Sequence, residues 1–240
     1  MTILCIDTAT EHGVVAVVRE DGKMGSSTWR AAGRHGENLF DHIERALSEV
    51  GAQRDHLTLI GVDIGPGKFT SLRVGLGTAK GLALGLGLPI VGVGSLRVLA
   101  RSIESEDGRV LVPLLDAYRG EVFGAAYVFE EGALREVLAP SFGPPEVVLG
   151  AIKQAAGARR IVVGGLGART HAGALESALG VTAREVLGCV EASTPRALAA
   201  EVQDAFRADG PSDLDSLEPQ YLRPSDAKLP DRALRTERTR

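Results

Sequence analysis

Cysteine is almost missing: Cys5 and Cys189 are the only two in 240 residues, too few for a disulfide framework or a cysteine-built zinc site. Excess positive charge is missing as well. Lysine and arginine number 27 against 31 aspartates and glutamates, a net charge of -4, so no strongly basic surface advertises nucleic acid by itself. No apolar run reaches the roughly 20 residues of a membrane span, and the N-terminus lacks a basic segment followed by an apolar one, as a secretory signal requires. These absences make a soluble, cytoplasmic protein the expectation. The length suffices for one large domain or two small ones.

Catalytic signatures are absent too. A Walker A loop needs Gly-x4-Gly-Lys-Ser/Thr, and Val62 and Phe69 stand where the first glycine and the hydroxyl belong. Gly165-Leu166-Gly167-Ala168-Arg169-Thr170 fails as a dinucleotide-binding turn, because Thr170 occupies the third glycine. No Gly-x-Ser-x-Gly elbow occurs. His35 and His42 are not spaced as ligands one helical turn apart, and His12, His56 and His171 are isolated. No metal site, no cofactor and no catalytic residue is expected.

What is present is organised around Gly65-Pro66-Gly67-Lys68-Phe69-Thr70-Ser71-Leu72-Arg73 and the glycine-studded run to Leu88. The apolar run from Leu59 to Ile64 predicts a buried strand. Gly-Pro-Gly ends it in a turn, and Thr70 or Ser71 is expected to cap the following helix, whose N-terminus offers a seat for an anion. Gly77, Gly81 and Gly85 recur every fourth residue and share one helix face. Each costs about 1 kcal/mol against alanine, so the face is expected to receive another backbone closely. Two readings are open from the residues alone: close packing on the chain's own sheet, or a helix–helix contact between subunits. Lys80 within the run and Arg73 at its start exclude a membrane span.

The remaining pattern repeats one unit. Strands at Ile3–Asp7, Gly13–Val18 and Met24–Trp29, turned by Asp21-Gly22, precede a helix from about Glu37 to Val50, with Leu39, Phe40, Ile43 and Leu47 as its apolar stripe. After the glycine helix come a strand at Pro89–Val93 and a short helix capped by Ser95. The order then returns. Val110–Asp116 is a strand ending in Asp, Val122–Phe129 and Leu134–Leu138 flank the Glu130-Glu131-Gly132 turn, Pro144-Pro145 opens a helix, and Ile161–Val163 leads to a second glycine turn and a helix running to about Leu179. A last helix, capped by Thr194, carries Leu198, Val202 and Phe206 and should return to the first unit. The expectation is an α/β chain with a duplicated actin-like (ASKHA) fold of two mixed-sheet lobes: residues 1–104, residues 105–224, and a disordered tail over 225–240.

In that fold a nucleotide lies between the lobes, on Asp-x-Gly-Ser/Thr. Here the stretch is Asp7-Thr8-Ala9-Thr10, and Asp116-Ala117-Tyr118-Arg119 also lacks the glycine. Asp7, Thr8, Thr10 and Asp116 are therefore read as a vestigial nucleotide site. Asp7 either orients a metal-bound water or caps its own turn, the second being preferred, and Asp116 can pair with Arg119 across its turn.

These segments, with Arg34-His35-Gly36-Glu37-Asn38-Leu39, Ala79-Lys80-Gly81-Leu82-Ala83, Asp116-Ala117-Tyr118-Arg119-Gly120-Glu121-Val122 and Pro219-Gln220-Tyr221-Leu222-Arg223, resemble the TsaB (YeaZ) family over nearly the whole chain to Arg223. The Gly-Pro-Gly-x-Phe-Thr-x-Leu-Arg run carries the resemblance most specifically. Lys68 replaces a family serine and Ser71 a family glycine. The resemblance implies a non-catalytic subunit of the bacterial machinery that makes threonylcarbamoyladenosine at position 37 of ANN-decoding tRNAs. It implies a TsaD-like catalytic partner, a TsaE-like ATPase, tRNA met through the complex, and a homodimer as a state open to the isolated chain. It places the partner interface on the N-lobe helices, at Phe69, Thr70, Arg73, Gly77, Gly81 and Gly85. An actin-like kinase or ATPase, and a glycoprotease-like metallopeptidase, are the alternative classes. The first should keep both phosphate loops and the second a metal site.

Overall fold

The computed structural model describes residues 1–31, 35–105, 108–187 and 189–223. Arg34 of the family segment and the tail over 225–240 lie outside the described residues. The first sheet contains β1 (Ile3–Asp7), β2 (His12–Val18), β3 (Met24–Arg30), β4 (Leu59–Gly65) and β5 (Ile90–Gly94), in the order β3-β2-β1-β4-β5. The second contains β6 (Val110–Asp116), β7 (Val122–Glu130), β8 (Ala133–Gly143) and β9 (Ile161–Gly164), in the order β8-β7-β6-β9. The same unit is thus built twice: an antiparallel meander whose first strand takes a parallel neighbour on its other side. The fold is the duplicated actin-like one of two mixed-sheet lobes.

Eight helices, α1 (His35–Glu49), α2 (Phe69–Leu86), α3 (Ser95–Ser102), α4 (Pro145–Ala156), α5 (Leu166–Thr170), α6 (Ala172–Leu179), α7 (Ala183–Leu187) and α8 (Pro195–Asp209), fill the described residues around the sheets. Strand β1 shows why both faces are covered. Leu4 and Ile6 point into a core with Leu39, Ile43, Leu76 and Ala79 of α1 and α2, whereas Ile3 and Cys5 point the other way, to Leu198 and Val202 of α8. Alternation along a strand sends successive side chains to opposite faces, so a run apolar throughout must be buried twice. Helix α3 joins the lobes. Val98 packs with the first sheet, while Leu96, Leu99 and Ala100 pack with Leu111, Leu115 and Phe123 of the second. Buried Glu201 of α8 ties this layer by binding both Arg97 and Arg101, and Arg97 also donates to the Leu134 carbonyl at 2.8 Å. None of the described helices is long and apolar enough to cross a membrane.

Several local expectations need correction. Neither Thr70 nor Ser71 caps α2: its N-cap is Lys68, with extended backbone and no side-chain cap bond. The chain turns into the helix early because Gly67 lies directly on the Ala9 carbonyl, which accepts the Lys68 amide at 2.8 Å and leaves no further extended residue. Ser95 is the first residue of α3, not its cap; Gly94 holds that place, and the Ser95 hydroxyl goes to Asp63 instead. The helix expected after the second glycine turn is broken at His171, where φ is -113° and ψ 30°. Gly167 seats α5 against the backbone of Leu114 and Leu115, and α6 turns away to cover α4. Strand β8 runs on from Leu138 to Gly143, because the pairing with β7 continues through two irregularities in register. Thr194 does cap α8, accepting the Ala197 amide at 3.2 Å.

Candidate functional site

The ends of β1, β4 and β6 converge on the junction between the lobes. Here Gly65, with φ at 111°, turns the chain out of β4 in a conformation open to glycine. Helix α2 then starts beneath the β1–β2 turn, so tightly that a side chain on Gly75 would meet the Thr8 hydroxyl. A cavity of about 240 Å³ remains between the lobes, lined by Thr10, Glu11, Lys68, Asp116, Tyr118 and Glu191 among others. Ligand pockets usually measure roughly 300–1,000 Å³, so this one is small for a nucleotide.

The four residues expected to be vestiges of a nucleotide site divide in two. Thr10 and Asp116 reach the cavity wall; Asp7 and Thr8 lie buried behind it. All four spend polar atoms on their own surroundings. Asp7 Oδ1 accepts the Ala9 amide at 2.9 Å, the turn-capping role. The Thr8 hydroxyl donates to the Ser71 carbonyl at 2.7 Å, Thr10 exchanges bonds with the His12 backbone, and Asp116 Oδ1 accepts the Tyr118 amide at 2.9 Å. Across the cavity mouth Lys68 reaches Glu11 at 3.3 Å and lies 5.2 Å from the Tyr118 ring centre. The Tyr118 hydroxyl, then Glu11, hold the ammonium above its ordinary pKa, against partial burial.

One acidic residue at this junction escaped the sequence reading. Parallel pairing of β1 and β4 matches Ile6 with Val62, so Asp7 and Asp63 come next to each other. Both are buried, at 2% and 1% exposure. Asp63 Oδ1 accepts the Gly65 amide at 2.7 Å and the Ser95 hydroxyl at 2.5 Å, while Oδ2 has no donor. Burial first, and the Asp7 charge second, push the Asp63 carboxyl well above the usual range. Burial also raises Asp7, against the lowering effect of the Ala9 amide and the Ser193 and Asp63 side chains. Two carboxylates in contact and out of water hold one proton between them. The available signal was a charged residue inside the apolar run Leu59–Ile64, which becomes meaningful only once the register beside Asp7 is known.

His35 and His42 meet at Trp29. The His42 ring stacks on the indole with centroids 3.9 Å apart and pairs with Ser27 through Nδ1. His35 stands edge-on at 5.6 Å, and its Nε2–H donates to the Thr10 carbonyl at 2.8 Å. Burial lowers both pKa values. Among the described residues no three histidine, cysteine or acidic side chains form a metal-binding group.

On α2 the buried face is formed by Leu72, Gly75, Leu76, Ala79 and Ala83. Gly77, Gly81 and Gly85 lie on the opposite, exposed face, where an added Cβ meets nothing within 4 Å. Close packing of these three glycines on the chain's own sheet is therefore overturned. Thr70, Arg73 and Phe69 continue the exposed face to the N-terminus of the helix, and Leu84 (74% exposed) and Phe40 of α1 (49%) add apolar surface.

Comparison with known proteins gives the same architecture a lineage. Residues 29–215 match the family model described as TsaD: tRNA N6-adenosine threonylcarbamoyltransferase. The chain is 35% identical over 136 residues to the tRNA threonylcarbamoyladenosine biosynthesis protein TsaB of Escherichia coli, which covers 56% of this chain and 58% of that protein. It is 33% identical over 138 residues to the TsaB of Bacillus subtilis, covering 58% and 60%. The chain thus spans less than two thirds of the curated relatives it matches. A crystal structure from Pseudomonas aeruginosa, of a protein with similarity to peptidase YEAZ, superposes with a TM-score of 0.78 at 27% identity over 92% of this chain and 99% of that one. With the twice-built lobe, the Gly-Pro-Gly turn and these matches together, the chain belongs to the TsaD tRNA N6-adenosine threonylcarbamoyltransferase family, on its TsaB (YeaZ) branch.

Proposed function

We propose that this chain is a non-catalytic subunit of the cytoplasmic bacterial complex that transfers threonylcarbamoyl to adenosine 37 of ANN-decoding tRNAs, dimerising with a TsaD-like catalytic subunit. A TsaE-like ATPase and the tRNA join through that complex, and the same surface lets the isolated chain pair with itself. The observation that carries the reading is the exposed stripe of α2. Gly77, Gly81 and Gly85 each give up about 1 kcal/mol of helix propensity at positions where this chain supplies nothing to fill the space. A partner helix whose backbone comes nearer than the usual 8–10 Å between axes would use that space. Phe69, Thr70 and Arg73 stand at the rim of the same contact. Its non-catalytic character is supported by the junction between the lobes, where Asp7, Thr8, Thr10 and Asp116 are bonded into their own turns.

The substitution Gly81→Leu tests this. With open space around the Cβ, the isolated chain, kept monomeric by dilution, should melt at an equal or higher temperature, by up to about 1 kcal/mol of propensity. Overpacking of the partner contact should cost about 1–3 kcal/mol, weakening association roughly five- to over a hundredfold. Calorimetric titration with the TsaD-like subunit reads the second effect. Unchanged affinity would remove the glycine face from the interface.

A further inference from the structure

Beside the small junction cavity lies a larger cleft of about 740 Å³, walled by the Gly-Pro-Gly turn and α2 on one side and the β6–β7 turn on the other. Residues 220–223 form its floor, with the Gln220 amide bonded to the Ile64 carbonyl at 2.6 Å and Arg223 to the Ala117 carbonyl at 2.8 Å. Three aromatic rings open into it: Phe69, Tyr118 and Tyr221 are 52%, 44% and 44% exposed. They are held, not loose. Phe69 stacks on Tyr221 with centroids 5.2 Å apart, the Arg73 guanidinium lies 3.8 Å from the Phe69 ring centre, and Arg73 Nε donates to the Tyr221 hydroxyl at 3.0 Å. Opposite, Tyr118 and Arg119 take φ of 60° and 55°, a left-handed conformation uncommon outside glycine, and both are exposed at the mouth.

The charge here runs against the rest of the molecule. The chain carries a net -4, yet Lys68, Arg73, Arg119 and Arg223 line the cleft with no carboxylate among its lining residues. Outside that lining, Glu11 pairs with Lys68 and Glu121 with Arg223, and Asp116 and Glu191 line the adjoining cavity. Rigid aromatic faces interleaved with guanidinium groups are the chemistry that takes up unpaired bases and their phosphates. A duplex hides its base faces and has no use for such rings. The cleft adjoins the glycine contact proposed above, with Phe69 and Arg73 at the shared edge, but Tyr118, Arg119 and Tyr221 belong to the cleft alone and Gly81 and Gly85 to the contact alone. Each four-residue step along α2 turns about 40° past a full turn, so Phe69 and Gly85 differ in direction by roughly 160°.

We propose that this cleft receives an unstacked base of single-stranded RNA, its face against Tyr118 or the Phe69–Tyr221 stack and its flanking phosphates on Arg73 and Arg119. The proposal deepens the function proposed above and rests on it. The test is fluorescence anisotropy of the full chain with a labelled RNA hairpin bearing an unpaired loop, beside a blunt RNA duplex and AMP as competitor. Tyr118→Asn removes the ring while keeping a residue that tolerates the left-handed backbone; Tyr221→Ala and Arg73→Gln complete the set. The hairpin should bind tighter than the duplex. Each tyrosine variant should weaken it about five- to over a hundredfold, and Arg73→Gln should reduce the logarithmic salt slope by about 0.7. Equal binding of hairpin and duplex, unchanged affinity in Tyr118→Asn, or competition by AMP at the RNA's own affinity would overturn the proposal. Loss of the TsaD-like subunit by the tyrosine variants would also overturn it, giving the cleft to a protein partner. Should wild-type chain bind that subunit but no hairpin, this proposal falls and the proposed function stands; should it bind neither, both fall.

Discussion

Replacing Asp63 by asparagine should make this protein more stable at neutral pH, although Asp63 is buried and fully enclosed. The amide keeps what Asp63 Oδ1 does, accepting from Gly65 and Ser95. It also places a permanent N–H donor where Oδ2 now has none and where Asp7 needs a proton. Asp7 could then ionise with three donors: the Ala9 amide, the Ser193 hydroxyl and the new amide. The pH dependence has a definite sign. A carboxyl raised by folding binds more protons folded than unfolded above the ordinary carboxylate range. Its stability contribution is therefore complete below about pH 4 and declines as pH rises toward the raised folded value. The slope is at most about 1.4 kcal/mol per pH unit, so up to about 3 kcal/mol separates pH 5 from pH 7. For a chain of this size that is on the order of 5–10 °C in melting temperature. Melting curves of wild type and Asp63→Asn across that range should converge on the acid side and separate in the variant's favour on the neutral side. Asp7→Asn should behave alike, whereas the double variant should be less stable than either, because two amides then present donors to each other. A variant that melts several degrees below wild type at pH 7, with the wild-type pH dependence intact, would refute the shared proton.

Two further substitutions follow from the packing. Glu201→Ala leaves Arg97 and Arg101 without the buried carboxylate between them and should cost about 3–5 kcal/mol, read as a fall in melting temperature. A loss below about 1 kcal/mol, the range of an exposed pair, would show the pair to be dispensable. Glycines two residues apart on α2 should respond oppositely to alanine: Gly75→Ala collides with the Thr8 hydroxyl and costs about 1–3 kcal/mol, while Gly77→Ala enters open space and gains up to about 1 kcal/mol. Equal responses in thermal melting would mean that the two faces of α2 are misassigned.

The sequence carried the doubled architecture because its signals are local and occur in the same order twice. Apolar runs ending in Asp7 and Asp116, and turns at Gly22 and Gly132, each depend on a handful of neighbours, and the structure returns them as two sheets with a shared strand order. Helix starts were less legible. A hydroxyl near a helix start reads as a cap wherever it stands, but the backbone decides which residue is still extended, and at α2 and α3 that residue is Lys68 or Gly94. Periodicity placed Gly77, Gly81 and Gly85 on one face and stayed silent on which face, because α2 is apolar on most sides and Leu84 is as hydrophobic as Leu76.

What the sequence hid most completely is what depends on register and on distant chain. Asp63 gains its meaning from lying one pairing step beyond Ile6 and Val62, a relation that no window around either aspartate contains. The cleft is assembled from Phe69 and Arg73, Tyr118 and Arg119, and Tyr221, three segments that meet only after both lobes have formed and residues 220–223 have bridged them. Read singly, each is an exposed aromatic or a surface cation and calls for no explanation. Phe69 and Tyr221 are held by a stack and a guanidinium contact, Tyr118 faces them across the cleft, and all three residues stay 44–52% exposed. An aromatic surface fixed in place, yet left uncovered by its own chain, forgoes burial worth about 25 cal/mol per Å², and that cost is recovered only when something else covers it.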